Sequence, residues 1–239
     1  QDIGSGATSI SYPKPEKKAP VIFGALKKGK IDIGRTNADI GGGKYDQVSM
    51  WLKKAHGVTN VVWDRFNRTA EHNKAAQKKL AGGQADTATV SNVLNVIPDA
   101  QNRSVVIATA ADSVKASGSA YFSVYEGNGS GTGATSREGS WQENRKTKDY
   151  RTEVGQHFEY VQMVPGTKVI IARSPKVKPV AQKSKTAGGP QFSKTAAAKE
   201  PNQMNRSELY AYSHALEDPH EVEDFRTVWH ITPADNVDN

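Results

Sequence analysis

The sequence predicts a mainly β protein: a two-sheet sandwich or jelly-roll-like core with a few short helices and extended terminal arms. An α+β sheet with helices on one face is the alternative. Three observations predict this class. Short apolar runs rich in β-branched and aromatic residues recur through residues 21–172, the pattern of strands. Helical periodicity is confined to three stretches. Outside residues 21–172, Pro, Gly and Lys dominate two segments that cannot bury enough apolar area to offset their ordering entropy.

Taken in chain order, residues 1–20 carry Gly4, Gly6, Pro13, Pro15 and Pro20 with Lys14, Lys17 and Lys18, and read as an extended N-terminal arm. Residues 21–172 form the β-rich core. Its strand candidates are Val21–Leu26, Val58–Trp63, Thr87–Ile97, Ser104–Thr109, Ala120–Tyr125, Tyr150–Val164 and Lys168–Ala172. Within it, Val48, Trp51, Leu52 and Ala55 have the i, i+3, i+4, i+7 spacing of one helix face. Thr69–Ala81 is built from strong helix formers and stops at Gly82-Gly83. Residues 173–206 read as a basic Pro/Gly/Lys linker. Residues 207–239 read as an acidic C-terminal segment with a helix over Ser207–Leu216 and a strand over Arg226–Thr232.

Composition excludes several chemistries. The 239 residues include no cysteine, so disulfides, thiolate metal sites and cysteine nucleophiles are absent. No apolar run approaches the roughly 18 residues of a membrane helix. The net charge is +7, and it is segregated: residues 173–206 carry +7, residues 207–239 carry −7 and residues 1–172 carry +7. A basic stretch beside an acidic one can pair within the chain or with another copy of it.

Motifs with known mechanics are incomplete. Gly24–Lys30, GALKKGK, has the spacing of a phosphate loop up to its lysine, but Ile31 follows where a hydroxyl is needed for magnesium. Ile31–Gly34 then alternates like a strand, so the segment reads as a lysine-bearing hairpin turn. Gly127, Gly129, Gly131 and Gly133 lie between strand candidates without a following helix, and read as a hairpin loop. There is no Gly-x-Ser-x-Gly elbow. His214, Glu217, Asp218, His220, Glu221, Glu223, Asp224 and His230 supply oxygen and imidazole donors without metal-site spacing, and Pro219 interrupts any helix through them. No metal and no cofactor is expected.

The longest strand candidate gives the sharpest pattern. Between Tyr150 and Tyr160, alternation puts Arg151, Glu153, His157 and Glu159 on one face, with about 7 Å between i and i+2 side chains. A solvated face with cross-strand ion pairs is its plain meaning. Carboxylate, imidazole and guanidinium together are also the ingredients of acid–base phosphodiester cleavage.

Two functions follow. The preferred one is not an enzyme but a structural subunit of an ordered assembly, a viral coat or filament protein in a virion or extracellular assembly. Its partners are copies of itself and RNA or DNA, met through phosphates by Lys14, Lys17, Lys18, Lys176, Lys178, Lys183, Lys185 and Lys194, with no membrane span. The alternative is a secreted or delivered hydrolase or nuclease using Glu153, His157 and Glu159.

Overall fold

The computed structural model describes residues 10–135 and 140–176. Its elements run α1 (Val21–Lys27), β1 (Thr36–Ile40), α2 (Gln47–His56), β2 (Thr59–Trp63), α3 (Ala70–Leu80), β3 (Ala85–Ser91), α4 (Ala100–Ser113), β4 (Val114–Ser123), β5 (Ala134–Thr135), β6 (Trp141–Gln142), α5 (Arg151–Val154), β7 (Phe158–Met163) and β8 (Ile170–Pro175).

Six of the strands form one sheet in the order β2-β1-β3-β4-β8-β7, and β5 and β6 pair separately. β2, β1, β3 and β4 are mutually parallel, whereas β8 is antiparallel to both β4 and β7. Parallel neighbours need crossover connections, and α2, α3 and α4 supply them in turn.

Side chains alternate across the sheet and feed two apolar layers. On one face Phe122, Ala120, Ile170 and Ala172 pack with Ala76 and Leu80 of α3 and Ile107, Ala110 and Ala111 of α4. On the other, Tyr121, Val169 and Ile171 pack with Ile22, Phe23 and Ala25 of α1 and Leu52 of α2. Helices on both faces make a doubly wound α/β sheet. This overturns the two-sheet sandwich or jelly roll, and equally the alternative with helices on one face.

The errors have a common cause: a parallel sheet covered on both sides hides its strands and helices behind similar apolar composition. Val21–Leu26 is helical, as α1. Ser104–Thr109 lies inside α4, whose start is capped by Asp99 accepting from the Asn102 amide at 2.8 Å. Its β-branched residues favour a strand locally, but burial of Ile107 and the alanines against the sheet decides for helix. Tyr150–Val164 is not one strand either: a 3-10 turn and α5 precede β7. Thr87–Ile97 ends as a strand at Ser91, with a 3-10 turn over Leu94–Val96. Ile31–Gly34 is irregular, and Gly24 sits inside α1 rather than in a hairpin.

Other elements stand where the sequence puts them. α2 covers the Val48–Ala55 face. α3 begins after Thr69, whose side chain accepts from the His72 amide. The strands β2, β4 and β8 overlap their candidates. Gly127, Gly129 and Gly131 occupy a loop after β4, all with positive φ. Residues 177–239, including the proposed helix 207–216 and strand 226–232, lie outside the described residues.

Candidate functional site

The strand order reverses at β1. The connection from β1 goes to β2 on one side, and the next crossover returns past β1 to β3 on the other. α2 therefore leaves β1 toward one face, and α4 leaves β3 toward the opposite face. In such sheets the loops beyond the adjoining strand ends part and leave a crevice.

A cavity of about 630 Å³ occupies this place. Its floor is Asp39 with Gly41, Gly42 and Gly43 at the end of β1. Ser91 at the end of β3, with Asn92 and Asn95 beyond it, forms one wall. Tyr12, Phe23, Tyr45, Tyr125 and Trp141 contribute rings, and among the described residues no Lys, Arg or His lines the cavity.

The glycine turn is dictated by close approach. Gly41 has φ +74°, and a side chain there would collide with Val93. At Gly42 an added Cβ would stand 2.7 Å from Asp39 Oδ2 and 3.0 Å from Val62 Cγ1. Gly43 donates its amide to Asp64 Oδ2 at 2.8 Å. Asp64, at the end of β2, also accepts from the Phe66 and Asn67 amides through Oδ1, which ties the β1 and β2 loops together.

Asp39 is 5% exposed. Thr89 Oγ1 donates to its Oδ1 at 2.8 Å, and Asn60 Nδ2 donates to its Oδ2 at 3.1 Å. Burial pushes its carboxyl above the ordinary carboxylate range, against these two hydrogen bonds, which pull it down. Both donors are neutral. Two further acceptors in the lining, Gln47 Oε1 and Asn95 Oδ1, are buried without a hydrogen-bond partner, an uncommon condition that costs stability unless something donates to them.

The candidate residues from the sequence fall elsewhere. Glu153 lies in α5, where it accepts from Arg103 and Arg145. His157 lies in the turn before β7, with Nε2 2.8 Å from Ser104 Oγ. Glu159 is exposed on β7. These three do not share a strand face, because the backbone between Glu153 and His157 is helix and turn. Lys14, Lys17 and Lys18 are exposed around a turn closed by hydrogen bonds from the Lys17 and Lys18 amides to the Lys14 carbonyl. Lys176 donates to the Gly155 carbonyl at 2.7 Å. Lys178, Lys183, Lys185, Lys194 and the cluster from His214 to His230 lie outside the described residues. Among the described residues no group of three or more His, Cys, Asp or Glu could hold a metal ion, and no helix is long and apolar enough to cross a membrane.

Asp39, Gly41–Gly43, Gln47 and Asn95 are not among the residues the sequence singles out. The signal for them is Ile40-Gly41-Gly42-Gly43 before the α2 periodicity, hidden because Asn37 and Asp39 make β1 look polar.

The core is a Rossmann-like α/β fold. No protein-family model and no curated protein matches the chain. Among solved structures it is similar to the 1,6-didemethyltoxoflavin-N1-methyltransferase of Burkholderia thailandensis, with 16% identity and a TM-score of 0.46 over 73% of this chain and 80% of that one. It is also similar to a sugar N-methyltransferase of Streptoalloteichus, with 10% identity and a TM-score of 0.43 over 68% and 91% of the two chains. A third is a TehB-like methyltransferase of Corynebacterium glutamicum, with 13% identity and a TM-score of 0.38 over 63% and 85%.

The sheet itself corrects the coat or filament reading, together with the expectation, tied to it, that the chain is not an enzyme. That reading required a β-rich core, and the core is a doubly wound sheet with a crevice at its switch point. The nuclease alternative loses its strand face.

Proposed function

We propose that the chain is an enzyme that binds a sulfonium nucleoside of the S-adenosylmethionine type in the switch-point crevice and transfers its methyl group to a second substrate. The carrying observation is the charge of the cavity: among the described residues Asp39 is a buried carboxylate in its lining and no cationic side chain lines it. A dinucleotide or nucleoside triphosphate brings phosphates, which need helix N-terminal amides or cations. Here the N-cap of α2 is Asp46, a carboxylate that makes no cap hydrogen bond and pairs with Arg68 at 2.6 Å, so this helix start carries negative charge. A ligand with sulfonium and ammonium charges instead offsets the cost of burying Asp39.

The remaining residues fit the same ligand. Gly41 and Gly42 leave backbone open where any side chain would collide, and Gln47 Oε1 is an acceptor in want of a donor such as an ammonium or hydroxyl group. The aromatic lining suits an adenine ring. When bound, the sulfonium supplies a methyl group to a nucleophile's lone pair, the S–CH3 bonding electrons returning to sulfur.

Calorimetric titration with S-adenosylhomocysteine, NAD and ATP tests this reading. Binding of the first alone is expected. Asp39→Asn should weaken it by roughly 10- to 100-fold, the loss of a charge-assisted contact worth about 1.5–3 kcal/mol. Affinity should also fall as pH drops through the raised Asp39 value, because protonation removes the charge. Binding of NAD or ATP without S-adenosylhomocysteine would reverse the assignment.

A further inference from the structure

Resting on the methyl-transfer reading, we propose that the second substrate is a planar heteroaromatic amine, a nucleobase-like ring whose N–H is recognised by Asn95 and whose face stacks in the aromatic mouth formed with Tyr125 and Trp141.

The first observation is the orientation of Asn95. It is 2% exposed, in the 3-10 turn beyond β3. Gln142 Nε2 donates to the Tyr125 carbonyl at 2.9 Å, which fixes the Gln142 amide so that its Oε1 faces Asn95. Asn95 Nδ2 donates to that oxygen at 3.0 Å. A backbone carbonyl can only accept, so the chain of donors has one direction and leaves Asn95 Oδ1 as an acceptor. That oxygen has no partner. The Asn95 carbonyl is also used, accepting from the Glu143 amide at 2.8 Å, so the turn is held and cannot rotate freely to satisfy it.

The second observation is the mouth. Tyr125 is 65% exposed although it lines the cavity, and Trp141 is anchored by its Nε1 donating to Glu143 Oε2 at 2.8 Å. An anchored indole beside an exposed phenol is a stacking platform for a flat ring. The third observation is the neutral wall: Ser91, Asn92, Asn95 and Gln142 offer amide and hydroxyl groups without formal charge, which suits the edge of a base and not a carboxylate or phosphate. A site with a buried unpaired acceptor discriminates strongly against an analogue lacking the donor. Ring stacking alone would not.

The same ring can arrive free or within a nucleic-acid strand. Residues 1–172 carry a net charge of +7, which attracts a strand, and the two sources differ in salt dependence.

The test uses the full chain saturated with S-adenosylhomocysteine, so that adenine-containing probes cannot report on the cofactor part of the cavity. Binding of N9-methyladenine is compared with N9-methylpurine, and of N1-methylcytosine with N1-methylpyrimidin-2-one, each pair differing by the amino group. At least one amine should bind about tenfold or more tightly than its partner. Asn95→Leu should erase that preference while S-adenosylhomocysteine still binds, and Tyr125→Ala should weaken both members of the pair. A 12-residue single-stranded oligonucleotide of the preferred base, titrated at low and high salt, distinguishes the sources: tighter, salt-dependent binding marks a strand, and no gain over the free base marks a small molecule. Equal affinity within both pairs, or a preference that survives Asn95→Leu, would overturn the proposal even where S-adenosylhomocysteine binds. Failure of S-adenosylhomocysteine itself to bind would instead strike the methyl-transfer reading beneath it.

Discussion

Arg103 and Glu153 form a two-pronged ion pair between α4 and α5, with Nε 2.7 Å from Oε2 and Nη2 3.2 Å from Oε1. The Arg103 side chain is 6% exposed and that of Glu153 18%. Arg103 Nη1 also donates to the Ile97 and Pro98 carbonyls, just beyond the Asn95 turn. Arg145 meets Glu153 Oε1 at 2.6 Å while lying over the Tyr150 ring. The pair thus joins the loop that follows β3 to the segment that leads into β7.

Removing one member of this pair leaves the other buried and uncompensated. Glu153→Ala should therefore cost about 3 kcal/mol, the lower end for breaking a buried pair, read as a lowered urea midpoint with unchanged slope. Burial acts to raise the Glu153 carboxyl, but the hydrogen bonds and charges of Arg103 and Arg145 outweigh it and hold the group below its ordinary value of 4.5. A depressed folded value means that the unfolded chain takes up the proton first. The stabilisation is therefore complete above pH 4.5 and is lost as pH falls through the lower folded value. Wild type should lose stability in that acid range more steeply than Glu153→Ala. Parallel acid profiles for the two would show that the pair does not contribute.

Gly42→Ala tests the glycine turn. The added methyl would stand 2.7 Å from Asp39 Oδ2 and 3.0 Å from Val62 Cγ1, so either the carboxylate or the turn must move. S-adenosylhomocysteine affinity should fall by roughly tenfold or more, since a cradle shaped for close backbone approach tolerates no Cβ. Gly131→Ala is no spatial control because Gly131 has φ +78°, but Gly24→Ala is: Gly24 lies in a helix with nothing within 4 Å of an added Cβ. Equal binding by Gly42→Ala and Gly24→Ala would remove the turn from the site.

Lys27 ties residues 10–20 to the core. From the end of α1 its Nζ donates to the carbonyls of Pro15, Glu16 and Lys17 at 3.4, 2.5 and 3.3 Å. Ile10 and Tyr12, just before that turn, line the cavity. Lys27→Met should increase protease cleavage within residues 10–20 by roughly two- to tenfold, matching the loss of about 0.5–1.5 kcal/mol of hydrogen bonding, with global stability little changed. Unaltered cleavage would mean that burial of Pro15, not Lys27, holds the segment.

What could be read without coordinates was local. The α3 start at Thr69, the amphipathic face of α2, the strand over Val58–Trp63 and the glycine loop after β4 depend on caps, periodicity and turn chemistry, all of which act within a few residues. The tertiary structure decided the rest. Thr36–Ile40 lies inside the sheet, between β2 and β3, where Asn37 donates to Asn60 and Thr89 and accepts from Thr87, while Asp39 accepts from Asn60 and Thr89. These partners lie on β2 and β3, so no window of sequence containing β1 alone shows that its polar side chains belong inside. Ser104–Thr109 and Val21–Leu26 became helices because each fits one side of a sheet that exists only once distant strands have paired. The crevice follows from the same cause: it forms where β1 and β3, some fifty residues apart in sequence, lie side by side and send their helices to opposite faces.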